Sequence, residues 1–177
     1  MKEPEVILVD KNDRQIGIAG KMEVHHRGLL HRAVSVFIIN SLGEWILQRR
    51  ALDKYHSKGL WTNTCCTHPN PGESVEDSAR RRLMEEMGIE CSLVKLFTFI
   101  YREKFDNELT EHEFDHVFFG ITDDKPRINA DEVEEWEAVA FKDLEKDILE
   151  NPSEYTFWFK EIYKKVNDSI HSLKKRK

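Results

Sequence analysis

Three short segments of this chain carry residues able to move protons or bind cations. The first is Cys66-Thr67-His68, within Trp61-Thr62-Asn63-Thr64-Cys65-Cys66-Thr67-His68-Pro69. In extended backbone, residues i and i+2 point the same way, so Cys66 and His68 can face one cavity while Cys65 faces the other side. A thiol can give up a proton and an imidazole can take one or bind a metal. The bland alternative is two small buried thiols beside a capping histidine. The second segment is Glu111-His112-Glu113-Phe114-Asp115-His116. Strand alternation puts Glu111, Glu113 and Asp115 on one face and His112, Phe114, His116 and Phe118 on the other. Stacked carboxylates repel unless a cation compensates them; a solvated strand face is the alternative.

The third segment holds His25 and His31, which flank a turn containing Gly28, with His26 the rival for His25. Together with His68, Glu111 and Glu113 they offer three imidazole nitrogens and two or more carboxylate oxygens. Structural zinc sites are thiolate-rich and four-coordinate, so a mixed N/O set of five or six donors suits Mn²⁺, Fe²⁺, Co²⁺ or an expanded Zn²⁺ site. Directly after the His68 loop come Arg82, Glu85 and Glu86, with Arg82 and Glu86 at helical i, i+4 spacing. As a surface ion pair this is worth only a few tenths of a kcal/mol or so. Beside the His68 loop, Glu86 is instead a candidate for a hard second cation such as Mg²⁺, whose shell is usually completed by water and phosphate oxygens. Lys21, Arg50, Lys54 and Arg82 are then the candidate grips on those phosphates.

The surrounding patterns predict the elements that must hold these residues. Glu5 to Val9 and Gln15 to Ala19 flank the turn signal Asn12-Asp13, and Arg32 to Asn40 and Trp45 to Arg50 flank Ser41-Leu42-Gly43-Glu44; both read as hairpins. Val34, Val36 and Ile38 alternate with Ser35, Phe37 and Ile39, apolar on nearly both sides, which predicts a central strand in a sheet covered on both faces. Residues 53–73, rich in Gly, Pro, Asn, Thr and His, read as a long irregular segment of the kind that carries function. Ser74 with Asp77 starts a helix, Val75, Ala79, Leu83 and Met87 form its apolar stripe with Arg82, Glu85 and Glu86 opposite, and Gly88 stops it. Strands over Ser92 to Phe105 and Glu111 to Ile121, joined at Asp106-Asn107, lead to a strand over Val133 to Phe141, a short helix, and a last helix from about Tyr155.

Composition bounds the function class. The 177 residues show no repeat or linker and suit one domain, which buries roughly 70% of its unfolded surface without disulfide staples. Three cysteines, two of them adjacent, fit reduced thiols in the cytoplasm. The start lacks an apolar h-region and no apolar run is long enough for a membrane span, so neither secretion nor a membrane is expected. A net charge of −6 with no basic stripe argues against nucleic acid, and Lys174-Lys175-Arg176-Lys177 reads as part of a frayed tail from about residue 171.

Taken together, these segments resemble the type 1 isopentenyl-diphosphate isomerases, a branch of the Nudix superfamily. The resemblance runs from about Val6 to beyond Trp158 and is densest at Leu29-Leu30-His31-Arg32-Ala33, Trp61 to Pro69, and Glu111 to Glu113. It implies an α+β fold, an α/β/α sandwich with a mixed sheet flanked by helices. It implies a metal held by His25, His31, His68, Glu111 and Glu113, expected as Mn²⁺ or Zn²⁺, and a catalytic pair, Cys66 and Glu113. It also implies Mg²⁺ on Glu86 with the backbone carbonyl of Cys66, Tyr101 beside the catalytic glutamate, and Trp158 over the reacting carbons.

The pattern departs from the Nudix box of the hydrolases: Thr67 stands for its first glycine and Arg82 for the glutamate after Arg81, while Glu73, Arg81, Glu85, Glu86 and Gly88 still fit. Losing one helical carboxylate weakens a multi-metal hydrolytic site, so pyrophosphate hydrolysis is the secondary reading. The implied reaction adds a proton at one carbon and removes one from a carbon two bonds away, through a tertiary carbocation or something close to it. An aromatic face stabilises such a cation without quenching it. Trp158 is the choice, although with Ile162 and Val166 it also reads as a core stripe, and Trp61 is the second candidate. The expected partner is a small prenyl diphosphate, and the expected state a monomer or weak homodimer.

Overall fold

The computed structural model describes residues 3–54, 56–105 and 108–175, excepting the side chain of Lys174. Its first hairpin is β1 (Glu5–Val9) and β2 (Gln15–Gly20), closed by a turn in which Asp13 has φ 63°. A short helix, α1 (Lys21–Arg27), then ends at Gly28, whose φ of 61° lets Leu29 N–H reach the Val24 carbonyl. The sequence reading expected only a turn here. Seven residues are too few for a periodic signal, and the helix is held by burial of Val24 and His25.

The central strand is β3 (His31–Ile39), as its two-sided apolar pattern predicts. Along one edge it pairs in parallel with β8 (Thr110–Ile121), from His31 opposite Glu113 to Ile39 opposite Ile121. It also pairs antiparallel with β1, with β6 (Cys65–Thr67) and with β4 (Glu44–Arg50). The sheet is extended by β5 (Trp61–Thr62) and β9 (Val133–Ala140) on β4, and by β7 (Leu93–Lys104) on β8. Residues 53–73 are therefore not wholly irregular: two short strands inside them dock on β3 and β4, pairings that no local pattern in the segment announces. The Asp106-Asn107 turn expected between β7 and β8 lies outside the described residues.

Helix α2 (Val75–Met87) starts at Ser74, whose hydroxyl accepts the Asp77 N–H, and stops at Gly88 with φ 63°. It buries Ala79, Leu83 and Met87 against Val34, Val36, Ile38 and Cys65. On the other face, α3 (Phe141–Glu150) and α4 (Phe157–Lys174), separated by a 3-10 turn at Pro152–Glu154, bury Leu144, Ile148, Trp158, Phe159, Ile162 and Val166 against Phe37, Ile39 and Val117. The result is the expected α/β/α sandwich around a mixed sheet. Helix α4 runs to Lys174, past the point where the sequence suggests fraying; Arg176 and Lys177 lie outside the described residues. Among the described residues no helix is long and apolar enough to cross a membrane.

Candidate active site

Strand β3 organises the site from both its edges. On one, Cys66 of β6 lies opposite Ser35; on the other, Glu113 of β8 lies opposite His31. The i, i+2 reasoning for the adjacent thiols holds in three dimensions. Cys65 is fully buried in the α2-side core, whereas Cys66 opens with His68 onto a cavity of about 290 Å³. That volume is near the lower end of small-molecule sites, roughly 300–1,000 Å³. The same cavity is lined by Lys21, Arg50, Lys54, Arg82, Glu86, Tyr101, Glu111, Glu113 and Trp158.

The histidines converge behind it. His25 Nδ1–H donates to the Lys21 carbonyl at 2.7 Å and His31 Nδ1–H to the Leu29 carbonyl at 2.9 Å, because a carbonyl can only accept. Both rings are thereby fixed in the tautomer whose basic nitrogen is Nε2, the arrangement of a metal-binding histidine oriented by an outer carbonyl. His31 Nε2 lies 3.1 Å from His68 Nε2, which lies 2.9 Å from Glu113 Oε1. Burial lowers the pKa of His25 to about 4 and that of His68 to about 3, which keeps both rings neutral at pH 7 as ligation requires. Burial works against the Glu113 carboxylate, but the His31 and His68 rings beside it outweigh that and hold its pKa well below the usual range.

One ligand atom each from His25, His31, His68 and Glu113 lies within 4.8 Å of all the others, a group that could hold a metal ion. His26 is exposed, so the choice between the neighbours falls on His25. Glu111 falls in a different group, with His25 and His56. Both groups include His25, so they adjoin at its ring. His56 was missed by the sequence reading, although it lies in the segment singled out as functional. Its Nε2 sits 2.9 Å from Glu111 Oε1 and its ring stacks on Phe105 at 4.7 Å.

Tyr101 O–H lies 2.9 Å from Glu111 Oε2 and 2.7 Å from Glu113 Oε2, joining the two carboxylates of one strand face. Burial, then the charges of Glu111 and Glu113, push its pKa far up, so it remains a donor. Burial, with Asp115 adding, likewise pushes the Cys66 thiol far up and keeps its proton on sulfur. Trp158 is 3% exposed and belongs to the α4 core stripe while also lining the cavity. Trp61 is not among the cavity-lining residues; its ring faces Arg49.

The cationic side is more tied down than expected. Lys21 has its pKa lowered by burial, then by Lys54 and Arg50, so three cations face one another in a pocket, a field that favours an anion. Arg50 lies over the Trp158 ring at 5.4 Å. Lys54 and Arg82 both pair with Glu132, a residue far along the chain that carries no local signal. Glu86 is buried, accepting from Arg82 at 2.5 Å and from Gln48 Nε2 at 3.0 Å, while Glu85 is about half exposed, its side chain at 44%. The two neighbours therefore do not share a face as the pattern suggested, since successive helical residues diverge by about 100°. Glu73 is held bidentately by Arg81 at 2.7 and 2.8 Å.

The NUDIX domain model matches residues 29–159. The chain is 54% identical over 156 residues to isopentenyl-diphosphate Delta-isomerase 2 of Aromatoleum aromaticum, covering 88% of this chain and 82% of that one. It is 47% identical over 170 residues to isopentenyl-diphosphate Delta-isomerase of Pectobacterium atrosepticum, covering 96% and 95%. Among solved structures, DR0079 of Deinococcus radiodurans superposes with a TM-score of 0.69 at 22% identity, over 83% of this chain and 90% of that one. At that identity the likeness speaks for the fold. On its sequence matches, the chain belongs to the isopentenyl-diphosphate Delta-isomerase family, built on the NUDIX domain.

Proposed function

We propose that this protein interconverts isopentenyl diphosphate and dimethylallyl diphosphate, with Cys66 and Glu113 as the proton-transfer pair. The observation that carries the reading is one cavity lined by a half-buried thiol and a buried carboxylate from strands flanking β3, together with Lys21, Arg50 and Lys54. Relatives bearing the isomerase name at about half identity over most of the chain support it.

In this reading Cys66 and Glu113 exchange roles with the direction of reaction: one adds a proton to an alkene carbon, the other removes one from a carbon two bonds away. Each contributes about 10² to 10⁴ in rate. Tyr101 holds the Glu113 carboxylate by its Oε2. Trp158 offers its face to the cationic carbon while excluding water. Lys21, Arg50, Lys54 and Arg82 grip the diphosphate, Lys54 and Arg82 by exchanging Glu132 or Glu86 for phosphate oxygens.

The donor chemistry fits two divalent cations. His25, His31, His68 and Glu113, with Glu111, would hold Mn²⁺ or Zn²⁺, and Glu86 with the Cys66 carbonyl would hold Mg²⁺. Such ions supply Lewis acidity that tunes the glutamate and neutralises phosphate charge. A small prenyl diphosphate is then the partner, with neither nucleic acid nor membrane involved, acting on a monomer or weak homodimer. The free thiols Cys65, Cys66 and Cys91 support a cytoplasmic setting.

The test is incubation with isopentenyl diphosphate and Mg²⁺ in D₂O, followed by NMR. Deuterated dimethylallyl diphosphate is the expected product. Phosphate release with the alkene unmoved would instead establish the hydrolase reading, which Arg82 at a box carboxylate position disfavours.

A further inference from the structure

The proton-transfer thiol and the cation-facing indole come from distant parts of the chain, yet one buried side chain touches both. Asn63 sits between β5 and β6 and is fully buried. Its Oδ1 accepts from Cys66 Sγ at 3.1 Å, from Trp158 Nε1 at 3.2 Å and from Thr62 Oγ1 at 2.9 Å. Its Nδ2 donates to the Val36 carbonyl at 3.1 Å and the Cys65 carbonyl at 2.8 Å.

The orientation of this amide is dictated by its partners. Indole N–H can only donate and carbonyls can only accept, so oxygen must face Trp158 and nitrogen must face β3 and β6. No other side chain of this size offers an acceptor at one end and two donors at the other. Thr156 Oγ1 donates in turn to Thr62 Oγ1 at 2.9 Å, and Thr156 N–H to the Trp61 carbonyl at 3.0 Å, which ties the start of α4 to the same loop. A chain of hydroxyls feeding one oxygen polarises it and stiffens the group.

We infer that Asn63 is a positioning residue for isomerisation: its amide oxygen locks the Cys66 thiol and the Trp158 indole into one unit facing the substrate's alkene. This rests on the isomerase reading and adds to it a residue that touches neither diphosphate nor metal-binding groups. A proton donor must meet the alkene carbon while the cation forms under the aromatic face, so the thiol and the indole must be placed relative to each other. Misplacement by about 1 Å can cost about 10²-fold in rate.

Two variants separate the ends of the amide. Asn63→Asp keeps the acceptor and, protonated by burial against two carbonyls, only one of the two donors; Asn63→Leu has similar shape and keeps neither. If the acceptor positions the catalytic groups, Asn63→Leu loses about 10²-fold or more in kcat with KM for isopentenyl diphosphate nearly unchanged, and Asn63→Asp retains most of the kcat. If Asn63 merely braces the loop, the lost Nδ2 bonds decide, and both variants fall together in kcat and melting temperature; that result overturns the inference.

A second measurement leaves Asn63 in place and needs no turnover. With the Trp158 indole N–H resonance assigned through Trp158→Phe, Cys66→Ala removes one of three donors from Oδ1 and should shift that resonance more than those of Trp45 and Trp136. Cys65→Ala should leave it near its parent position. A Trp158 resonance indifferent to Cys66→Ala refutes the shared acceptor, whereas a parent protein that does not isomerise refutes the function while leaving this test intact.

Discussion

The adjacent thiols allow the sharpest division between chemistry and packing. In Cys66→Ala the transferable proton disappears. The structural cost is small, because Cys66 is only partly buried and its acceptor, Asn63 Oδ1, keeps the Thr62 and Trp158 donors. The loss is then about one hydrogen bond of 0.5–1.5 kcal/mol, against a typical stability of about 5–15 kcal/mol, so the fold persists. Turnover should nevertheless fall by at least about 10²-fold, equivalent to about 2.7 kcal/mol of barrier.

Cys65→Ala inverts the pattern. That sulfur is fully buried in the α2-side core, so its loss costs about 1 kcal/mol and lowers Tm by about 2–4 °C. Turnover should stay near that of the parent. The assay is dimethylallyl diphosphate formation by NMR beside thermal melts of all three proteins. Parental turnover in Cys66→Ala, or a loss of about 10²-fold in a well-folded Cys65→Ala, would refute the strand register and the acid–base pair together.

Three further outcomes follow from the geometry. His68→Ala removes one imidazole from the group with His25, His31 and Glu113, so elemental analysis should find the tightly held metal well below one per chain; full occupancy would take His68 out of the ligand set. Glu86→Gln should keep that metal but raise the Mg²⁺ concentration needed for half-maximal rate, and an unchanged Mg²⁺ titration would remove Glu86 from the second site. Leu83→Ala, at a position 1% exposed between α2 and the sheet, should cost about 2–5 kcal/mol in denaturant unfolding with kcat per folded molecule intact; a smaller cost would mean the α2-side core collapses around the gap.

The sequence by itself determined whatever depends on neighbours along the chain. Alternation on β8 puts Glu111, Glu113 and Asp115 on one face, and all three are buried. The same period of two separates Cys65 from Cys66, the two-sided apolar pattern marks β3 as central, and Ser74 and Gly88 bound α2 through local capping. Backbone geometry fixes such relations before any tertiary contact forms.

Only the tertiary structure decided which distant groups meet. It brought His56 to Glu111 and Glu132 to Lys54 and Arg82, formed α1 where a turn was expected, and buried Glu86 while leaving Glu85 about half exposed. It also turned Asn63, unremarked among Thr and Cys in the sequence, into the acceptor shared by Cys66 and Trp158. Each of these depends on how β5, β6 and α4 dock around β3, and side chains far apart in sequence acquire their partners only when that docking closes the space between them.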